Sequence, residues 1–286
     1  MQKEHQDRTA MITGASNGIG LALARKLLSE GWQVIALNRS DYPADDPVIR
    51  EAEGSGRLRI YRAADLADYV SLGHALDAIK RHERSIDILF NNAGGSFPEL
   101  SYSKQGRESH YELMTVVPYI ILMELKELLK NGSLKTVINT SSSAMKYVKA
   151  FNPEMLERPR TFRKLFGPYA ASKLALSLWT QAAAPRLAME GIKIRSVDPG
   201  NNNTLRKGKK SGLPLAVRWL MKLFFPSPAH GANRLVEGAL GAHSRETGVF
   251  LLNGRVAALT FGDQARDVLD RVDAIYRQEY RARRAP

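Results

Sequence analysis

Short apolar runs alternate along the chain with longer stretches in which apolar residues return every third or fourth position. Thr9-Ala10-Met11-Ile12 reads as a buried strand, and Ile19 to Leu28 carries helical spacing. Gly31 marks a C-terminal stop, and residues 32–37 read as a second strand. Further strands are expected at 58–63, 86–90, 134–140, 192–197 and 249–252. Helices are expected near 68–82, 109–130, 169–190 and 229–242, with a last one at 265–280. Strand–helix alternation predicts an α/β fold, a Rossmann-like doubly wound parallel sheet flanked by helices, because each crossover helix must pack back on the sheet. No repeat, linker or low-complexity segment interrupts the pattern. A single domain over 1–286 is expected, with its core at about 8–255 and a C-terminal helical extension at about 262–282.

In open α/β sheets, ligands bind beyond the carboxyl ends of the strands. The first strand ends in Thr13-Gly14-Ala15-Ser16-Asn17-Gly18-Ile19-Gly20. Glycines there let the backbone approach a pyrophosphate, and the following helix turns its N-terminus toward the negative charge. At the end of the second strand stand Asn38, Arg39 and Ser40.

Composition narrows the picture. An apolar fraction of 44% with 25% charged residues is ordinary for a globular protein. Zero Cys excludes a disulfide framework, a thiolate nucleophile and Cys-ligated metal centres. The polar N-terminus has no signal-peptide core, and no apolar run approaches the ~18–20 residues that span a bilayer. A cytoplasmic location is expected. The basic residues behind the formal net charge of +13 are spread along the chain, with two locally rich stretches. Residues 205–225 carry Arg206, Lys207, Lys209, Lys210, Arg218 and Lys222 without an acid, and residues 143–168 carry six basic and two acidic residues. These are read as a solvated rim or as an attraction for an anionic substrate or partner. No nucleic-acid-binding signature accompanies them, and no nucleic acid is expected as a partner.

The ordered motifs resemble those of the short-chain dehydrogenase/reductase family, closest in pattern to its retinol-dehydrogenase-like branch. The first loop matches the family's TGxxxGxG. Asp65-Leu66 follows the third strand, Asn91-Asn92-Ala93-Gly94 the fourth, and Ser141-Ser142 the fifth. Tyr169-Ala170-Ala171-Ser172-Lys173 opens the long helix, and Pro199-Gly200, with Asn202 and Thr204, follows the sixth strand. The resemblance implies an oxidoreductase that moves a hydride between a nicotinamide and a carbonyl or alcohol, without a metal. Gly14, Ser16, Asn17, Gly18, Ile19 and Gly20 would cradle the cofactor. Asp65 and Leu66 would meet the adenine, Asn91, Ala93 and Gly94 would wall the adenosine side, and Pro199, Gly200, Asn202 and Thr204 would complete the cofactor site. Asp65 is equally placed to cap the next helix. A guanidinium beside the adenosine ribose suits a 2′-phosphate, so Arg39 favours NADP(H) over NAD(H).

By the same resemblance, Tyr169 transfers the proton, Lys173 lowers its pKa and holds the nicotinamide ribose, and Ser142 orients the carbonyl oxygen. A helix places i and i+4 on one face, which fits this division. The family's usual Asn in the fourth helix is here Met114. A methionine keeps the backbone carbonyl but lacks the amide that would brace a distorted turn, so a relay slowed about three- to tenfold is expected. The runner-up reading is a catalytically weakened or inactive nucleotide-binding protein acting through partner contacts. Ser142 and Tyr169 lie 27 positions apart, and the long insertion between them is expected to shape the substrate cleft. The dense apolar stretch 213–225, with Trp219 and Phe224, reads as a lid over a bulky apolar substrate. A homo-oligomer through the family's fourth and fifth long helices is possible, though Pro185 is expected to kink the second of them.

Overall fold

A computed structural model describes residues 8–203 and 224–284. Its centre is one eight-stranded sheet in the order β3-β2-β1-β4-β5-β6-β7-β8. The strands are β1 (Thr9–Thr13), β2 (Gln33–Asn38), β3 (Leu58–Arg62), β4 (Ile88–Asn91), β5 (Thr136–Thr140), β6 (Lys193–Val197), β7 (Phe250–Leu252) and β8 (Arg255–Ala257). All neighbours are parallel except β7 and β8, which form an antiparallel hairpin at one edge. The strand order reverses between β1 and β4, so the crevice expected for a ligand opens above the ends of these two strands.

Alternation along the strands divides the core in two. Met11, Ile35, Leu37, Leu89, Val137 and Ile194 face one layer, built from α3 (Tyr69–His82), α5 (Val117–Glu124), α7 (Pro168–Met189) and α9 (Ala265–Ile275). Ala10, Ile12, Val34, Ala36, Phe90, Ile138 and Val197 face the other, built from α1 (Gly18–Ser29), α2 (Pro47–Gly54) and α8 (Pro228–Leu240). Period-two alternation with apolar residues on both faces is what a sheet covered on both sides requires.

The helix expected over 109–130 is not continuous. It comprises α4 (Ser109–Tyr111), a π-helical turn over Glu112–Val116, then α5 and α6 (Lys126–Asn131). Pro118 supplies a physical reason. It stands four residues after Met114 and has no N–H to close the α-helical bond to the Met114 carbonyl. The chain takes the wider π register there, a distortion that recurs at functional sites. By contrast, α7 runs from Pro168 to Met189 without interruption through Pro185, so the proline does not end the helix.

The C-terminal helix is part of the layer rather than an appendage beside it. Val268, Val272 and Ile275 of α9 are buried in the core shared with α7. Asp273 accepts a hydrogen bond from Tyr119 of α5 at 2.7 Å. One turn later Glu279 takes both oxygens to the Arg107 guanidinium at 2.8 Å. Arg107 also binds Glu112 at 2.7 Å and the Tyr69 hydroxyl at 2.7 Å, and that hydroxyl donates to Glu112 at 2.8 Å. Glu112 is fully buried, so its charge is tolerated only because the guanidinium and the phenol both face it.

Candidate active site

The glycine loop is held open by its neighbours. Gly14 has φ of +68°, and a Cβ on Gly20 would stand 2.2 Å from the Gly14 carbonyl oxygen. The tight turn therefore requires glycine at both positions. The Thr13 hydroxyl accepts from the backbone of Asn92 (2.9 Å) and Ala93 (3.0 Å), and the Asn92 amide donates to the Thr13 carbonyl at 3.1 Å. Ser16 is buried with Asn17 donating to its hydroxyl, while Gly18 and Ile19 open α1. No side chain caps the first turn of α1, and no acid lies in it. A side-chain-free cradle against uncapped helix amides fits a cofactor pyrophosphate.

The residues expected around the adenosine divide by location. Asn38 is buried, and its carbonyl oxygen accepts from the Ala15 backbone at 2.7 Å. Through that oxygen it braces the glycine loop. Arg39 is exposed, with no ion-pair partner among the described residues, and Ser40 is half-buried beside it. Asp65 is exposed and closes a turn on the Ala67 backbone at 3.0 Å. The cap of α3 is Asp68, not Asp65. Leu66 is buried in the core. Asn91 is also buried, its amide donating to Asn139 across β4 and β5 at 2.9 Å, so its side chain ties strand ends together. Ala93 and Gly94 continue the loop toward Lys173. Beyond β6, the Asn202 amide donates to the carbonyls of Pro199 (2.9 Å) and Gly200 (2.8 Å) and accepts from Gly231 of α8 at 2.8 Å. Thr204 and all of the 213–225 stretch except Phe224 and Phe225 lie outside the described residues, and Phe224 itself is exposed.

Tyr169 and Lys173 emerge from the first turns of α7 above the end of β5. The Lys173 ammonium donates to the Thr140 carbonyl at 2.6 Å. Burial brings its pKa down to about 7, and the carboxylate of Asp198 opposes that fall. Burial raises the pKa of the Tyr169 phenol, while Ser142 stands close enough to favour the ionised form. Of the neighbouring serines, Ser141 is buried and paired with Ser177 at 2.8 Å, which leaves Ser142 for a substrate. The Ser143 backbone donates to Asp198 at 3.0 Å, tying this strand end to β6.

Met114 is buried in the π turn. A Cβ on Gly94 would lie 2.8 Å from its sulfur and 3.8 Å from the Lys173 nitrogen, so these three groups share one corner. The π turn is thus present without the asparagine amide. Two bonds from α7 hold it: Thr115 donates to the Ser172 carbonyl at 2.9 Å, and the Trp179 indole donates to the Thr115 carbonyl at 3.2 Å. This corrects the expectation that losing the amide unbraces the turn. Met114→Asn is accordingly expected to change turnover by less than about threefold, under one ordinary hydrogen bond. Steady-state kinetics of parent and variant on one substrate check it, and a tenfold rise would restore the brace argument.

Thr13, Asn92, Asn139, Thr140 and Asp198 act on the site without having been singled out in the sequence. Thr13 and Asn92 lie inside motifs that were recognised, so their positions were available. Thr140 acts through a carbonyl, which every residue has, and only the fold reveals it.

Comparison with known proteins places the chain among short-chain dehydrogenases. A family model described as short chain dehydrogenase matches residues 8–155. Polyprenol dehydrogenase of Homo sapiens is 31% identical over 234 residues, covering 79% of this chain and 70% of that protein. Retinol dehydrogenase 14 of Mus musculus is 29% identical over 240 residues, covering 79% and 71%. Among solved structures, a protein of Mycobacterium paratuberculosis superposes with a TM-score of 0.65 at 24% identity, covering 96% of this chain and 94% of that one, a likeness of fold.

Proposed function

The chain belongs to the short-chain dehydrogenase family and is an oxidoreductase of CH–OH groups with a nicotinamide cofactor, and we propose that it uses NADP(H) in the cytoplasm to interconvert a bulky apolar alcohol and its carbonyl compound. One observation supports the catalytic reading: Ser142 stands close to the Tyr169 phenol, and Lys173, four residues on in α7, donates to the Thr140 carbonyl at the end of β5. When bound, the nicotinamide supplies or accepts the hydride. Tyr169 gives its hydroxyl proton to the carbonyl oxygen, or takes one from the alcohol in the reverse direction. Ser142 donates to the same oxygen and fixes its direction. Lys173, held by Thr140, presents its positive charge to the phenol and favours the phenolate left after proton transfer.

An apolar substrate is supported by the half-buried rings of Phe97 and Phe162, which flank the buried His110 beside the phenol. The His110 ring meets Tyr169 edge-on at 5.9 Å and also contacts Phe97 and Phe162, the latter from the insertion. The alcohols in the names of the two relatives, a polyprenol and retinol, are long apolar molecules in keeping with this wall. A panel of carbonyl compounds and alcohols, graded by size and polarity and assayed with NADPH and NADH, tests the reading. Small polar carbonyls as best substrates would overturn the substrate class.

The cofactor preference rests on Arg39, a forked cation exposed at the end of β2 with no acid holding it among the described residues. Arg39→Ala is expected to weaken NADPH binding about tenfold and to leave NADH within about twofold, the size of one lost charge-assisted contact. Fluorescence titration of both cofactors checks this. Equal affinity for the two in the parent protein would remove the assignment.

The surfaces of α5 and α7 that the family uses for subunit pairing carry α9 here. Any homo-oligomer of this chain is therefore proposed to use another face.

A further inference from the structure

Glu108 and His110 lie outside every motif that carried the functional reading, yet both are fully buried, and the His110 ring stands 5.9 Å from the Tyr169 ring. Glu108 caps α4, one oxygen accepting from the Tyr111 backbone at 2.9 Å. Its other oxygen meets His110 Nδ1 at 2.6 Å. On the far side of the ring, the Phe97 backbone N–H donates to His110 Nε2 at 2.8 Å. A nitrogen that accepts carries a lone pair, so the single ring proton sits on Nδ1 and points at Glu108. The two contacts fix the tautomer between them.

What the imidazole holds is the loop after β4. That loop is clamped at its start, where Thr13 accepts from Asn92 and Ala93, and it passes Lys173 at Gly94. At Phe97 its backbone is held by the bond to His110. The same ring presents its face or edge to Tyr169 and stacks toward Phe162 of the insertion. One side chain therefore touches the cofactor-side loop, the proton-transferring phenol and the substrate-side insertion.

We propose that His110, fixed by Glu108 as the neutral Nδ1–H tautomer, is a positioning residue that sets both the Phe97 end of the cofactor loop and the Tyr169 ring. The proposal rests on the reading of Tyr169 as proton donor for its second half only. The loop half stands on the hydrogen bond to Phe97.

Two substitutions separate the halves. His110→Gln retains an acceptor near the Nε2 position and loses the ring. It is expected to keep NADPH affinity within about twofold of the parent and to lose about tenfold in kcat. His110→Phe retains the ring and loses the acceptor. It is expected to weaken NADPH binding about tenfold, with the smaller effect on kcat. Each variant is read by NADPH fluorescence titration and by turnover of the best substrate from the panel. The parent protein supplies a measurement that needs no variant to fold: nitrogen-15 NMR of the His110 ring in the intact protein at neutral pH should show a neutral ring protonated at Nδ1.

A ring protonated at Nε2, or at both nitrogens, overturns the proposal, as do two folded variants with parental kcat and NADPH affinity. Equal losses of both quantities in the two variants would indicate general loosening and would also overturn it. Should Tyr169→Phe retain turnover, the proton-donor reading fails, but the NADPH arm and the tautomer still decide the loop half. Should Tyr169→Phe be inactive while both His110 variants behave as parent, this inference alone fails.

Discussion

Tyr169→Phe lowers turnover by roughly 10²- to 10⁴-fold, the range expected when a general acid is removed, and leaves cofactor affinity unchanged. The substitution removes one oxygen and keeps the ring, so the edge contact with His110 at 5.9 Å is retained. The lost group is the one that meets the substrate oxygen. Burial raises the phenol's pKa in the free protein, so at neutral pH it is protonated and ready to donate in the reductive direction. Ser142 remains in the variant and still orients the carbonyl, so some residual rate is expected. Pre-steady-state turnover alongside NADPH titration gives both quantities. A variant that keeps more than about a tenth of the parental rate is incompatible with proton donation by Tyr169.

Lys173→Met abolishes most turnover and makes the free protein more stable. The ammonium is buried, and its pKa falls to about 7 because water no longer solvates the charge. The unfolded chain holds the same proton up to about 10.5. Between those values the unfolded state binds more protons than the folded one, so this group's cost to stability diminishes as pH rises. Below about pH 7 the cost is fully present, and above about 10.5 it is gone. A methionine of similar length removes the cost but leaves the Thr140 carbonyl without its donor, an opposing loss of about 1–3 kcal/mol. The net gain near pH 7 is expected at about 1–3 kcal/mol, or several degrees in Tm. It should shrink toward pH 10 by up to about 1.4 kcal/mol per unit. Urea unfolding of parent and variant, without cofactor, at several pH values measures the difference. A variant less stable than the parent at pH 7 would mean that Lys173 is solvated or paired beyond what burial and Asp198 imply.

The strands were legible as short apolar runs, and most helices as longer apolar-rich stretches between them. Met11, Ile35 and Val137 on one face and Ile12, Ala36 and Ile138 on the other leave nearly unbroken apolar runs in the sequence. Two short elements escaped. Asp46 caps α2 with Pro47 in its first turn, a readable start signal, but the helix is only eight residues long and buries only Ile49 and Ala52. Asn253-Gly254, both at positive φ, join β7 to β8 and form a strong hairpin signal that the reading of 249–252 stopped short of. The π turn was hidden for another reason: its cause, Pro118, falls at a position where a proline also begins an ordinary helix.

At the site, motif spacing singles out Ser142, Tyr169 and Lys173, whose side chains the fold brings to the ends of β5 and α7. The residues that hold them in place were less visible. Asn38 and Asn91 both end a strand, and only the fold shows the Asn38 side-chain oxygen accepting from the Ala15 backbone and the Asn91 amide donating to Asn139. Arg107, Glu112 and Glu279 are unremarkable charges in sequence, and 172 positions separate the first from the last.

That separation has a consequence for biogenesis. Glu112 opens the turn that carries Met114 to the Lys173 corner, and its buried charge is shared by Arg107, whose other arm holds Glu279. A ribosome completes the turn's sequence early, together with the glycine loop and, somewhat later, the reactive helix. The second carboxylate on Arg107, Glu279, arrives only after residue 279 has cleared the exit tunnel. Until then Arg107 and Glu112 pair without the contact that ties them to the C-terminal segment, and the apolar faces of α5 and α7 stay uncovered. The nascent chain therefore carries a nearly finished nucleotide cleft whose catalytic layer is still exposed, the kind of partly folded state that holdase chaperones bind. Emergence of the C-terminal helix is the event that closes this interval, so the timing of translation through residues 265–281 bears on the yield of active protein.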